Sequence, residues 1–256
     1  MATSTTTLSK SSPTSQTNSP AKAVQKPANP LIHWLFSSIG KKTIVALTGI
    51  ALVLFLIVHL LGNLTIFLGP DVMNAYAEKL ESMGSLLWIA RIGLLITVGL
   101  HIFFTMLLWK ENSAARPQKY QHKAHVQSTV FVRTMRMSGL IVLAFICFHL
   151  AHFTLDLIDP SYATLTTTLH GETVHDVYRM VILGFSVPWV SAFYVLSLAF
   201  IAFHLSHGLA SLFQTLGFTN QTLRKHWERY GRALAWLLFI GYASIPTSVL
   251  LFKLGQ

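Results

Sequence analysis

Apolar residues in this chain run in blocks too long for strands, and the blocks predict five membrane-spanning helices. The first uncharged stretch is Thr43–Phe67, the second Ile92–Trp109 (from Leu86 if Arg91 snorkels), and the third Met137–Leu155. One crossing takes about 20 residues, so the uncharged run Met180–Leu216 is too long for a single perpendicular span. Pro188 divides it, because proline suits the first turn of a helix. That places the fourth helix at Pro188–Phe213, with Val181–Val187 near the membrane surface before it. The fifth is Ala233–Phe252, with Pro246 as a candidate kink. No open sheet can satisfy its backbone in hydrocarbon, so the spans are expected to be helices and the fold all-α.

The polar stretches complete the plan. Residues 1–29 are rich in Ser, Thr, Lys and Pro and nearly free of large apolar side chains. Such a segment buries too little surface to offset its ordering entropy, so it reads as a disordered tail. It has no apolar core of the kind a cleavable secretory signal needs. Residues 30–40 read as a short interfacial helix, and 30–256 as one five-helix domain.

Composition agrees: 52% of residues are hydrophobic and 11% charged, against about a quarter charged in a soluble domain. A net charge of +10 would suggest nucleic acid in a soluble protein. Here the charges fall between apolar blocks, so topology explains them and no nucleic-acid partner is expected. Fifteen of the 19 basic residues lie on one side: Lys10, Lys22, Lys26, Lys41 and Lys42; Lys110, Arg116, Lys119, Lys123, Arg133 and Arg136; and Arg224, Lys225, Arg229 and Arg232. Seven of the nine acids lie on the other. The positive-inside rule then puts the N-terminus in the cytoplasm and the C-terminus outside. A single cysteine, Cys147, excludes an internal disulfide, a cysteine zinc site and an iron–sulfur cluster.

Histidine carries the candidate chemistry. Six of the twelve lie in apolar spans: His59, His101, His149, His152, His204 and His207. Ionisable groups at membrane depth are costly and usually face the bundle interior. Each of the first four spans has at least one and the fifth has none. At about 1.5 Å per residue, His59 lies roughly 24 Å from Thr43 and His149 roughly 18 Å from Met137. His101 lies roughly 12 Å from Trp109, and His204 roughly 14 Å from Phe213. The ranking sorts them into an outer pair, His59 with His149, and an inner pair, His101 with His204.

Two imidazoles facing each other can hold a haem iron from both faces, with no open position, which suits electron transfer. Zinc would want more ligands at one depth, and a proton pathway would normally include intramembrane carboxylates. His152 and His207 follow a proposed ligand by three residues and share its face. They read as hydrogen-bonding neighbours, although either could replace the ligand beside it. His33, His122, His125, His170, His175 and His226 lie outside the spans and read as solvated.

At this point the motifs resemble a known family. Ser37-Ser38-Ile39-Gly40-Lys41-Lys42, Ala46-Leu47-Thr48-Gly49 and His59-Leu60-Leu61-Gly62-Asn63 are similar to the membrane cytochrome b subunit of succinate:quinone oxidoreductases. So are Glu111-Asn112 with Ala115-Arg116-Pro117, His175-Asp176-Val177-Tyr178, and His204-Leu205-Ser206-His207-Gly208 leading to Phe213-Gln214-Thr215-Leu216-Gly217. The resemblance covers about residues 35–250. It implies a five-helix bundle in a bacterial cytoplasmic membrane, with two b haems held by His59, His101, His149 and His204 on the first four helices. It also implies two soluble partners, a flavoprotein and an iron–sulfur subunit, exchanging electrons through this chain with a membrane quinone, often menaquinone.

Further residues follow from that resemblance. Lys41, Lys42, Arg133 and Arg136 lie where inner-haem propionates could be neutralised; topology signals explain them equally well. Asn63 and Arg91 are candidate donors to a quinone carbonyl near the outer haem, or else a helix cap and a headgroup contact. Some fumarate-reducing relatives carry a glutamate where this chain has Ala202, which tilts the reading toward succinate oxidation. The alternatives are another diheme b-type membrane cytochrome, or a non-redox anchor or transporter.

Overall fold

The computed structural model describes residues 29–115 and 130–255. The tail expected over 1–29 lies outside the described residues except for Asn29, as do Arg116, Lys119, His122, Lys123 and His125; the side chain of Arg133 is also undescribed.

Helix α1 (Pro30–Leu35) starts at Asn29, whose side chain accepts hydrogen bonds from the Leu31 and Ile32 amides. Ser37 then caps α2 (Ser38–Asn63) by accepting from the Gly40 amide at 3.0 Å. The expected single helix over 30–40 is therefore two, because a side chain that satisfies orphan amides starts a new helix. A Cβ at position 40 would sit 2.0 Å from the Trp34 carbonyl oxygen, so the corner between α1 and α2 requires glycine. Lys41 and Lys42 consequently belong to the first turn of α2, not to a connection.

Beyond α2 a 3-10 turn (Leu64–Leu68) ends at Gly69, whose φ of 102° directs the chain into α3 (Pro70–Glu81). Helices α4 (Ser85–Ala114) and α5 (Val130–Phe153) follow. A second 3-10 turn (Pro160–Thr164) leads to an antiparallel hairpin, β1 (Thr166–Leu169) with β2 (Glu172–His175). His170 and Gly171 at its tip have φ of 49° and 89°, the positive values a two-residue hairpin turn demands. Then come α6 (Val177–Ser186), α7 (Pro188–Thr215) and α8 (Gln221–Phe252).

Among the described residues five segments are long and apolar enough to cross a membrane: Ser38–Leu68, Ser85–Ala114, Thr134–Phe153, Pro188–Thr215 and Thr222–Phe252. The chain is a multi-pass, predominantly helical membrane protein. One expectation is corrected. Arg224, Lys225, Arg229 and Arg232 lie within α8, which Asn220 caps, so the fifth helix begins a dozen residues earlier than Ala233. Most of Val181–Val187 belongs to α6, whose Met180, Val181, Ile182 and Phe185 are buried.

The packed core sits at one end of the bundle, here termed the hairpin end. Ile66, Met73, Tyr162, Met180, Phe185, Tyr194, Ile245 and Val249 meet there. Asn74 on α3 fixes this end: its Nδ2 donates to Asp176 Oδ1 at 3.0 Å, and its Oδ1 accepts from the Tyr178 amide at 2.9 Å. Asp176 in turn caps α6 by accepting from the Arg179 amide. Elsewhere the long helices leave Leu54, Val58, Leu61, Leu95, Ile96, Leu196, Leu237 and Ile240 exposed. In water such a surface would drive association; against lipid tails it costs nothing.

Candidate functional site

Helices α2 and α4 pack as one pair and α5 and α7 as another, while α4 makes extensive helix contact only with α2. The histidines of these four helices lie at two levels, and at one of them α2 and α5 face each other through an imidazole pair.

Toward the hairpin end, the His59 and His149 ring centroids are 5.9 Å apart and nearly perpendicular, at 79°. Each sits four residues before the last residue of its helix, Asn63 in α2 and Phe153 in α5. Phe55 stacks on His59 at 5.1 Å, and Phe145 stacks on His149 at 5.9 Å. The Tyr194 hydroxyl lies 3.4 Å from His149 Nδ1 and 3.1 Å from His152 Nδ1, so one phenol links both α5 imidazoles. Tyr242 on α8 packs near His59 at 6.1 Å and donates its hydroxyl hydrogen to the Leu56 carbonyl oxygen at 2.6 Å.

Toward the basic end, the second pair is set by small residues. Thr48 Oγ1 is 3.0 Å from His101 Nδ1, and Ser138 Oγ is 3.4 Å from His204 Nδ1. The next residue is glycine in both cases: a Cβ on Gly49 would sit 3.6 Å from His101 Cε1, and one on Gly139 would sit 3.5 Å from His204 Cε1. Both rings therefore lie against the backbone of the neighbouring helix.

These contacts set the spacing of the levels. Gly49 marks the depth of His101 and stands ten residues before His59; Gly139 marks that of His204 and stands ten before His149. Ten helical residues rise about 15 Å, so the two pairs are separated by the same distance on both sides of the bundle.

A metal ion held by two imidazole nitrogens about 2 Å away leaves the ring centroids about 6 Å apart. The 5.9 Å between His59 and His149 fits one shared metal. Among the described residues no three His, Cys, Asp or Glu side chains converge as a chelating group. Phe55 and Phe145 stack beside the His59–His149 pair, and two facing imidazoles in an apolar setting fit a b haem.

The other expected site residues divide. Lys41 is buried and ion-paired with Glu111 at the end of α4, so its ammonium already has an acidic partner. Lys42 is exposed on the same turn. Arg136 is exposed, with its guanidinium over the Trp109 ring at 5.5 Å. Asn63 Nδ2 donates to the His59 carbonyl oxygen at 2.7 Å and lies 3.4 Å from both nitrogens of that ring. Arg91 is exposed and stacks over Trp88 of its own helix at 5.1 Å, away from the histidine pairs.

The sequence reading missed four residues beside the imidazoles: Thr48, Ser138, Tyr194 and Tyr242. Hydroxyl side chains in apolar helices usually bond back to their own carbonyls, so none stood out. One signal was available, since Thr48-Gly49 and Ser138-Gly139 precede a span histidine at the same spacing. Compared with known protein families, with curated proteins and with solved structures, the chain matches none.

Proposed function

We propose that this chain is the membrane-anchoring, electron-carrying subunit of a succinate:quinone oxidoreductase, bound to two b haems. The observation that carries the reading is the placement of four histidines from four membrane spans at two levels about 15 Å apart, with His59 and His149 ring to ring at 5.9 Å at one of them. His59 and His149 would hold an outer haem, and His101 and His204 an inner one. Haems held there would supply one-electron carriers.

The chain's own residues keep the sites dry and oriented. Phe55 and Phe145 flank the outer imidazoles, and Tyr194 and Asn63 hold those rings by hydrogen bonds or close contact. The basic end faces the cytoplasm of a bacterial cell in this reading, with the N-terminus inside and the C-terminus outside. There the soluble flavoprotein and iron–sulfur subunits dock. A membrane quinone of the menaquinone type reacts near the outer level. Asn63 stands beside His59 and is the better placed of the two candidate donors, because Arg91 is committed to Trp88 on an exposed face. The motif resemblance supplies the partners and substrates, and the paired histidines supply the redox chemistry.

The test uses the complex purified from membranes in mild detergent. The reading expects a reduced-minus-oxidised b-type spectrum with two components, a co-purifying flavoprotein and iron–sulfur protein, and succinate-dependent quinone reduction or quinol-dependent fumarate reduction. A complex with no b-type absorbance would overturn it.

A further inference from the structure

The chain repeats one pattern across the bundle. Thr48-Gly49, nine residues and His59 occupy α2; Ser138-Gly139, nine residues and His149 occupy α5. In each copy the hydroxyl-glycine step receives a histidine from the next long helix, His101 of α4 against the first and His204 of α7 against the second.

The direction of these hydrogen bonds can be deduced. Thr48 Oγ1 lies 2.7 Å from the Ile44 carbonyl oxygen and 3.2 Å from that of Val45. Ser138 Oγ lies 3.0 Å from the Met135 carbonyl oxygen. A carbonyl only accepts and a hydroxyl has one hydrogen, so both hydroxyl hydrogens are committed to the main chain. Toward the imidazole each hydroxyl can only accept, so the ring must donate from Nδ1. With the hydrogen on Nδ1, the Nε2 lone pair is free.

We infer that Thr48 and Ser138 are matched positioning residues for the inner haem: they hold His101 and His204 in the tautomer that offers Nε2 to the iron and raise the basicity of both ligands. The inference rests on the proposed haem reading and deepens it. A more basic ligand favours ferric iron, so these hydroxyls hold the inner potential down. The outer pair is built differently, with a phenol that His149 shares with His152. Thr48 and Ser138 should therefore act on one haem and leave the other as an internal reference.

The experiment is a spectroscopic redox titration of the intact purified complex, with low-spin ferric EPR, for Thr48→Val, Thr48→Ser, Ser138→Ala and Ser138→Thr. Loss of such a supporting partner typically costs a factor of about ten or more in metal affinity or activity, and here the loss is expected to fall on the ferric state. Thr48→Val and Ser138→Ala should raise the reduced-to-oxidised ratio of the inner haem about tenfold at fixed potential, which is 59 mV for a one-electron couple. Thr48→Ser and Ser138→Thr should titrate as wild type, and the outer haem should not move in any variant. Loss of the inner haem in Thr48→Val with retention in Thr48→Ser also supports the role. An unmoved Thr48→Val titration, an equal shift or haem loss in Thr48→Ser, or a shift confined to the outer haem overturns it. A wild-type complex with no b-type spectrum overturns the haem reading and this inference together; a normal wild-type spectrum with an unmoved Thr48→Val overturns the inference alone.

Discussion

Tyr194→Phe isolates one hydroxyl at the outer pair. The Tyr194 ring is 4% exposed and packs edge-on against Phe145 and Phe185 at 5.1 and 4.9 Å. Phenylalanine preserves these contacts, so the change removes only the oxygen. His152, 1% exposed, has its sole hydrogen bond among the described residues at that oxygen, 3.1 Å away; the His149 bond at 3.4 Å is longer and adds less. A buried polar group left unsatisfied costs about 1–3 kcal/mol. For a chain of this size each kcal/mol moves Tm by roughly 2–4 °C, so the variant should melt about 2–12 °C lower. The assay is thermal unfolding of the detergent-solubilised complex, with a redox titration of the same samples. The outer haem potential should move and the inner should stay. Tyr242→Phe is the control, because that hydroxyl serves a carbonyl of α2 rather than an imidazole. An unchanged Tm together with an unmoved outer haem would refute the hydrogen-bonded link between Tyr194 and the α5 histidines.

Three further outcomes are expected. His59→Ala and His149→Ala should each remove the same spectral component, and His101→Ala and His204→Ala the other; shared loss between His101→Ala and His149→Ala would contradict the two levels. Asn74→Ala deletes one bond to a carboxylate and one to a backbone amide of α6, and should cost about 2–4 kcal/mol in chemical unfolding without altering the haem spectra. Burial, helped by the Asp159 and Asp156 carboxylates, pushes the Tyr162 phenol above its ordinary value. Its contribution to stability is then complete below about pH 10 and is lost as pH rises beyond it; Tyr162→Phe should weaken the alkaline fall in Tm, and an identical alkaline limb would count against it.

The spans and the histidine levels were legible because both depend on distance along the chain. Hydrocarbon thickness demands an uninterrupted apolar run, and a helix turns residue number into depth. Pro188 and the long uncharged run after Met180 therefore located α7 correctly to its first residue. Charge near a helix end was harder to read. Lys41 and the α8 arginines lie inside helices, because Ser37 and Asn220 cap further out than the apolar boundary. Capping depends on one side chain bonding local amides, and hydropathy does not register it.

From sequence alone follow the five spans, the six intramembrane histidines and their sorting into two depths, since each depends only on composition and rise per residue. The tertiary structure alone decided which histidine of the close-set couple on α5 faces His59. His149 meets His59, while His152, three residues on, turns to Tyr194. It also decided that Lys41 answers Glu111 and that Thr48 and Ser138 grip rings from other helices. Those choices depend on how helices rotate about their axes and pack side by side, and in lipid that rotation is set by small residues and buried polar contacts rather than by the apolar pattern.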